Sequence, residues 1–161
     1  MDTLEAIAKR RSVRNYTGDA IPRNHLEQIV DAGRLAASGN NRQPWNFIVI
    51  TDREMINFLK IAAPWMDKAG AIIAVVMDPG SRWWVEDGAA AIENMLLAAT
   101  ALGYGTCWLE GYTLERERDF KVALSIPDNL RLLTLVPVGV PVAWPTKEKK
   151  TLAEVIHWEK F

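Results

Sequence analysis

From about Arg82 to Leu102 the sequence reads as one long helix with almost no polar side. Val85, Ala89, Ile92, Met95, Leu96, Ala99 and Leu102 make one side apolar, and Gly88, Ala91 and Ala98 make another side small. A helix apolar nearly all round has to be covered from several directions. In a domain of this size, such a helix suggests a subunit interface. Just ahead of it, Ala71–Met77 is an uninterrupted apolar run bounded by Gly70 and Asp78-Pro79-Gly80, the pattern of a central strand buried on both faces. Gly103-Tyr104-Gly105 then stops the helix, as glycine just past a helix end commonly does.

The rest of the chain alternates helix and strand around this pair. Residues 2–10 read as a helix favoured at its start by Asp2 and Glu5. A second helix starts from Asn24 and Glu27, spaced as a capping box. It buries Leu26, Ile29, Val30, Ala32, Gly33, Leu35 and Ala36, with close packing expected at Gly33. Trp45–Thr51 is a strand by β-branched content, and Asp52 caps a short helix over 52–62. Thr106–Leu109 is a short strand and 114–124 a charged amphipathic helix. Arg131–Val142 is a long strand in which Pro137 points to an irregular or edge position. The result is a single domain over 1–161 with an α+β, three-layer sandwich fold. The tail Thr151–Phe161 carries Leu152, Val155, Ile156, Trp158 and Phe161, too apolar to lie free in solvent, so it docks on its own subunit or on a partner's.

Composition excludes more than it selects. A net charge of −1 argues against a chain adapted as a whole to nucleic acid or an anionic membrane. The single cysteine, Cys107, cannot form an internal disulfide and favours a reducing, cytoplasmic setting. No basic-then-apolar leader and no bilayer-length apolar run is visible. His25 and His157 are far apart and have no cysteine at ligand spacing, so a protein-held metal is not expected. No Walker sequence, Gly-x-Ser-x-Gly elbow or third glycine after Gly103-Tyr104-Gly105 is present. Cys107 reads as a buried, inert thiol.

Three segments stand out as candidate sites. In Arg10-Arg11-Ser12-Val13-Arg14 an extended backbone would turn Arg10, Ser12 and Arg14 to one side, two guanidinium forks and a hydroxyl suited to a phosphate. A solvated helix end is the equal alternative for that cluster alone. Ser38-Gly39-Asn40-Asn41-Arg42-Gln43-Pro44-Trp45 holds more hydrogen-bonding side chains than a connector needs. Gly39 and both asparagines can take positive φ, and Pro44 is expected to hold Gln43 extended. Lys147, Lys149 and Lys150 form a basic tail that matters only as a second cationic arm to the same anion. Glu110, before Gly111, reads as a turn residue whose backbone matters more than its side chain. Trp83-Trp84 suggest core packing or an interface.

Taken in order, these segments resemble the nitroreductase family of flavin mononucleotide (FMN)-dependent oxidoreductases. The likeness rests on Arg10–Arg14, on Ser38–Trp45 leading into a strand, and on Asp87–Ala99 as the long central helix. Ala101–Trp108 matches the helix-to-strand junction, and Val138-Gly139-Val140-Pro141 the strand before the basic tail. The resemblance implies a three-layer α/β/α sandwich with a mixed, largely antiparallel sheet. It also implies a homodimer with FMN at the subunit interface, and a C-terminal segment, about 145–161, that wraps the partner. By the family pattern Arg10, Ser12 and Arg14, helped by Arg11, hold the FMN phosphate and the pyrimidine end of the ring. Lys147 and Lys149 supply the second arm to the phosphate. Ser38, Gly39, Asn41, Asn40 and Gln43 approach the flavin of the opposite subunit, and the backbone of Glu110 and Gly111 lies near N5. NADH or NADPH reduces the flavin and leaves, and a nitroaromatic, quinone or related acceptor follows in a ping-pong cycle, with no side chain as nucleophile or base. The alternatives are an FMN enzyme with other chemistry (reductive dehalogenation, enoate or imine reduction, flavin degradation) and a non-enzymatic flavin-storage or flavin-sensing dimer. The short connection between Asp78 and Arg82 implies a compact member with a more open site than relatives that carry further helices there.

Overall fold

The computed structural model of the chain describes residues 1–109, 113 and 115–161. Among those residues the sheet has four strands, β1 (Trp45–Ile50), β2 (Ala71–Met77), β3 (Gly105–Thr106) and β4 (Arg131–Gly139). Their spatial order is β1-β2-β4-β3 and all three pairings are antiparallel. Ser12 adds a parallel bridge to Thr106, so the pairing is mixed and largely antiparallel, as expected.

Every residue of β2 is buried, and its side chains alternate between two cores. Ile72, Ala74 and Val76 enter one core with Leu132, Leu135, Ile56, Leu59 and Phe120. Ala71, Ile73, Val75 and Met77 enter the other with Ile29, Ala91, Ile92 and Met95. Helices α2 (Arg23–Arg34) and α4 (Trp84–Ala101) therefore cover one face, and α3 (Arg53–Leu59) and α5 (Glu117–Ala123) the other. The three-layer α/β/α sandwich follows. Helix α1 (Thr3–Lys9) packs beside α4.

Local signals decide most of the element ends. Asp2 accepts from the Glu5 N–H while Glu5 accepts from the Asp2 N–H, a reciprocal cap for α1. Asp52 caps α3 through the Met55 N–H. At the end of α4, Gly103 takes φ +90, and the N–H groups of Gly103 and Tyr104 return to the carbonyls of Thr100 and Ala99. The start of α2 differs from expectation. Pro22 occupies the N-cap, its fixed φ admits the chain before Asn24, and Glu27 pairs with Arg23 at 2.8 Å instead of closing a capping box. Leu35 falls beyond the last turn of α2 and is exposed.

Among the described residues, α4 is covered by the sheet, α2 and α1 and stays open along one flank. Gly88 and Ala91 lie on its core side with Ile92 and Met95, rather than on a separate small face. A Cβ at Gly88 would stand 2.3 Å from Leu133 Cδ2, and one at Gly33 would stand 2.8 Å from Met95 Cγ, so sheet, α4 and α2 meet at glycines. Val85 and Ala101 remain exposed on the open flank, and Leu97 and Ala98 are half-buried.

Pro137 sits in an interior strand, not at an edge. Gly105 pairs with Gly139, and Leu109 bridges Leu135 in the same register. That register sets Cys107 opposite Pro137, which has no N–H to give. The expected strand Thr106–Leu109 is therefore reduced to Gly105–Thr106 and one isolated bridge. The tail does not dock on its own subunit. Thr151 and Glu154 cap a single 3₁₀ turn over Leu152–Glu154, and Trp158 and Phe161 are fully open to solvent, at 77% and 104% exposure.

Candidate functional site

The segment after α1 is extended and held like a strand. The Val13 N–H donates to the Thr106 carbonyl at 2.8 Å, and the Tyr16 hydroxyl donates to the Val13 carbonyl at 2.7 Å. Val13 is buried against Gly105, where an added Cβ would stand 2.7 Å from Val13 Cβ. Ser12 and Arg14, on either side of it, face out. Ser12 and Arg14 alternate with Val13 as an extended chain does, whereas Arg10 and Arg11 are both half-buried.

The same segment pairs with the end of the β4 excursion. Tyr16 bridges Pro141, the Thr17 N–H donates to Val140 O, and the Val142 N–H donates to Asn15 O. These contacts bring the start of the tail alongside Arg10–Arg14. A cavity of about 500 Å³ opens between them, lined by Arg10, Arg11, Ser12, Arg14, Lys147, Lys149 and the acidic Glu148; Lys150 is outside it. Charge rather than size marks this cavity. A larger one, about 710 Å³ between α2 and β1, carries Arg23 and Arg34 already paired with Glu27 and Asp31.

The cations are not equivalent. Arg10 shares its Nε with Glu93 of α4 at 3.3 Å. Arg11 spends Nη1 on the carbonyls of Ala8 and Arg10, closing the end of α1, and so serves the helix end as well as lining the cavity. Arg14 lies over the Trp65 ring, 5.9 Å from its centroid. Below them, burial pushes the Cys107 thiol up, and the Arg14 charge and a Ser12 hydrogen bond only partly oppose that. Burial, followed by the neighbouring Cys107, drives the Tyr16 phenol well above its usual range, with Arg14 opposing. Cys107 and Tyr16 therefore keep their protons at neutral pH and add no negative charge beside Arg14.

The polar loop lies elsewhere. The Ser38 Oγ accepts the Gln43 N–H at 3.0 Å, and the Gly39 N–H donates to Asp87 Oδ1 at 2.8 Å, so the loop sits on the first turns of α4. Asn40, Asn41 and Gln43 all take left-handed backbone, with φ of +53, +54 and +50, whereas Gly39 does not. Gln43 is therefore not extended. Pro44 biases its neighbour towards extended backbone, and Gln43 departs from that bias while its N–H is held by Ser38 Oγ. None of Ser38, Gly39, Asn40, Asn41 or Gln43 lines the cationic cavity of its own chain. Glu110 and Gly111 lie outside the described residues. Among the described residues there is no group of three or more His, Cys, Asp or Glu able to hold a metal, and no helix long and apolar enough to cross a membrane.

A family model described as the nitroreductase family matches residues 7–71 and 54–140. The chain belongs to the nitroreductase family. Its likeness to individual members runs end to end. It is 40% identical, over 99% of both chains, to an Archaeoglobus fulgidus protein named "Putative NADH dehydrogenase/NAD(P)H nitroreductase". A crystal structure of a Parabacteroides distasonis protein of the same name superposes with a TM-score of 0.91 at 32% identity, covering 99% of this chain and 98% of the other. A Desulfovibrio desulfuricans structure, of a "putative nitroreductase in complex with fmn", gives 0.88 at 30% identity, covering 100% and 98%.

Two residues of this nitroreductase-family chain escaped sequence reading. Glu93 was hidden on a helix face taken as apolar, although its partner Arg10 was singled out. Asp87 is buried beneath the polar loop. Its signal was a pair of acids, Glu86 and Asp87, in the first turn of a largely apolar helix.

Proposed function

We propose that the chain is an FMN-dependent oxidoreductase that takes hydride from NADH or NADPH and delivers it to a nitroaromatic, a quinone or a related oxidised acceptor. The observation that carries this reading is the convergence of Arg10, Ser12, Arg14, Lys147 and Lys149 on one cavity from two distant segments. That donor set suits a phosphate dianion: guanidinium forks, a hydroxyl and two ammonium groups, with Glu148 the one opposing charge in the lining. Bound FMN supplies the hydride-accepting and hydride-donating centre.

The chain's own residues bind and orient. Ser12 and Arg14 present their groups because Val13 is pinned behind them, and Lys147 and Lys149 close the opposite wall. Arg10, backed by Glu93, provides positive charge where the reduced cofactor gathers negative charge. The Ser38–Gln43 loop faces away from this cavity and serves the cofactor held by a second copy. The exposed tail and the open flank of α4, beside exposed Leu4, Ile7 and Leu35, support a homodimer in which each tail lies on the partner. Nicotinamide and acceptor use one face in turn, a ping-pong cycle in which no side chain acts as nucleophile or base.

The test is the visible spectrum of the purified protein. Oxidised-flavin absorbance that bleaches with NADH or NADPH and returns with a nitro compound or quinone is the expected result. A colourless protein that cannot be reconstituted with FMN refutes the reading.

A further inference from the structure

We propose that Asp87 is the positioning residue of the Ser38–Gln43 loop, and through it of the contacts that loop makes to the cofactor of the partner subunit; this rests on the functional reading above. Asp87 is 5% exposed, and its Oδ1 accepts the Gly39 N–H at 2.8 Å. On its other side Gly39 meets Trp83, whose Cε3 would lie 2.5 Å from an added Cβ. Gly39 is thus gripped by the carboxylate and the indole ring at the head of α4. Directly after it the backbone turns left-handed at Asn40, Asn41 and Gln43. Non-glycine residues keep that conformation only when their surroundings impose it. The bonds made by Ser38, Asn41 and Gln43 close on the loop itself. Among the described residues, the Gly39–Asp87 bond is the one that ties residues 38–43 to a helix.

The second carboxylate oxygen supplies an independent argument. Asp87 Oδ2 is buried and has no hydrogen-bond partner among the described residues. A half-satisfied buried carboxylate is a poor way to stabilise a fold, since an apolar residue of similar size avoids the desolvation penalty. Its presence beneath a polar, strained loop points to loop placement rather than to stability.

The experiment titrates FMN into apo-protein by flavin fluorescence, for wild type, Asp87→Ala and Asp87→Asn, with hydrogen exchange at Gly39 as a second readout. Asp87→Ala should weaken FMN on the order of tenfold or more, the consequence of losing one part-buried charge-assisted bond. It should also speed exchange of the Gly39 amide by more than any change in the denaturation midpoint accounts for. Asp87→Asn, which keeps an acceptor at Oδ1, should stay within about threefold of wild type. Equal losses in the two variants, or an unchanged Asp87→Ala, overturn the proposal. A mixed dimer of one Asp87→Ala subunit and one Arg14→Ala subunit reads the crossing directly. One FMN per dimer at wild-type affinity is expected, because one of its two sites then has both parts intact. No restored site overturns delivery of the loop to the partner. Wild-type protein that takes up no FMN removes the functional reading and this inference together. Wild type that binds while the variants behave alike removes the inference alone.

Discussion

Gly105→Ala couples the fold to the cationic cavity through a single contact. The added Cβ would stand 2.7 Å from Val13 Cβ and Cγ2 and 2.8 Å from Cγ1, about 0.7 Å inside the 3.4 Å at which ordinary contact begins. The obstructing atoms belong to a β-branched side chain with no flexible end to swing aside. The backbone of Val13 is pinned by its N–H bond to Thr106 and by the Tyr16 hydroxyl on its carbonyl. Relief therefore requires the whole Arg10–Arg14 segment to move away from β3, stretching the 2.8 Å bond from Val13 to Thr106. Overpacking of this kind costs about 1–3 kcal/mol. Losing glycine from a strand returns roughly 0.5–1 kcal/mol. The net expectation is a loss of up to about 2.5 kcal/mol in urea denaturation, at unchanged m-value, with weaker FMN binding because Ser12 and Arg14 shift with Val13. In the Gly105→Ala background, Val13→Gly should cost about 1–2 kcal/mol less than it does alone. Wild-type stability and wild-type FMN affinity in Gly105→Ala refute the reasoning.

Two further outcomes follow from the same site. Arg10→Ala should lower FMN affinity by about 1.5–3 kcal/mol, the worth of one charge-assisted contact, while leaving thermal stability nearly unchanged, since its partner Glu93 is half exposed; isothermal titration checks both, and unchanged affinity removes Arg10 from the site. Cys107 and Tyr16 hold their protons to higher pH when folded than when unfolded. Above about pH 9 the unfolded chain therefore binds fewer protons and stability falls as pH rises. Tyr16→Phe should flatten that alkaline decline in urea midpoints, at the expense of the hydrogen bond to Val13.

The sequence made the frame legible where one force dominates. Ala71–Met77 has no polar position, so only an interior strand satisfies it, and the layers on either side follow from that strand. Arg10–Arg14 was legible for a similar reason: an extended backbone alternates sides, and Val13 is its one apolar residue. Residues whose conformation depends on distant partners were not legible. Gln43 takes a left-handed φ while its N–H is held by a hydroxyl five residues back. Asp87 is buried because a loop far away in sequence folds onto it. Pro137 carried a correct warning of irregularity but not its location, because an interior strand tolerates proline where its neighbour leaves a gap. The role expected of Glu110 and Gly111 falls outside the described residues.

The connection from β2 to α4 has a use in protein engineering. Asp78, Pro79 and Gly80 are exposed, whereas Ser81 is buried and Trp83 already presses on Gly39. The point at which extra chain can be spliced in is therefore narrow: it lies after Asp78, whose N–H donates to Pro44 O, and before buried Ser81. Closure entropy grows slowly with length, by about 0.6 kcal/mol per doubling. A helical lid or a reporter peptide grafted between Asp78 and Gly80 should therefore leave the frame standing. The same graft after Ser81 would unseat the grip on Gly39.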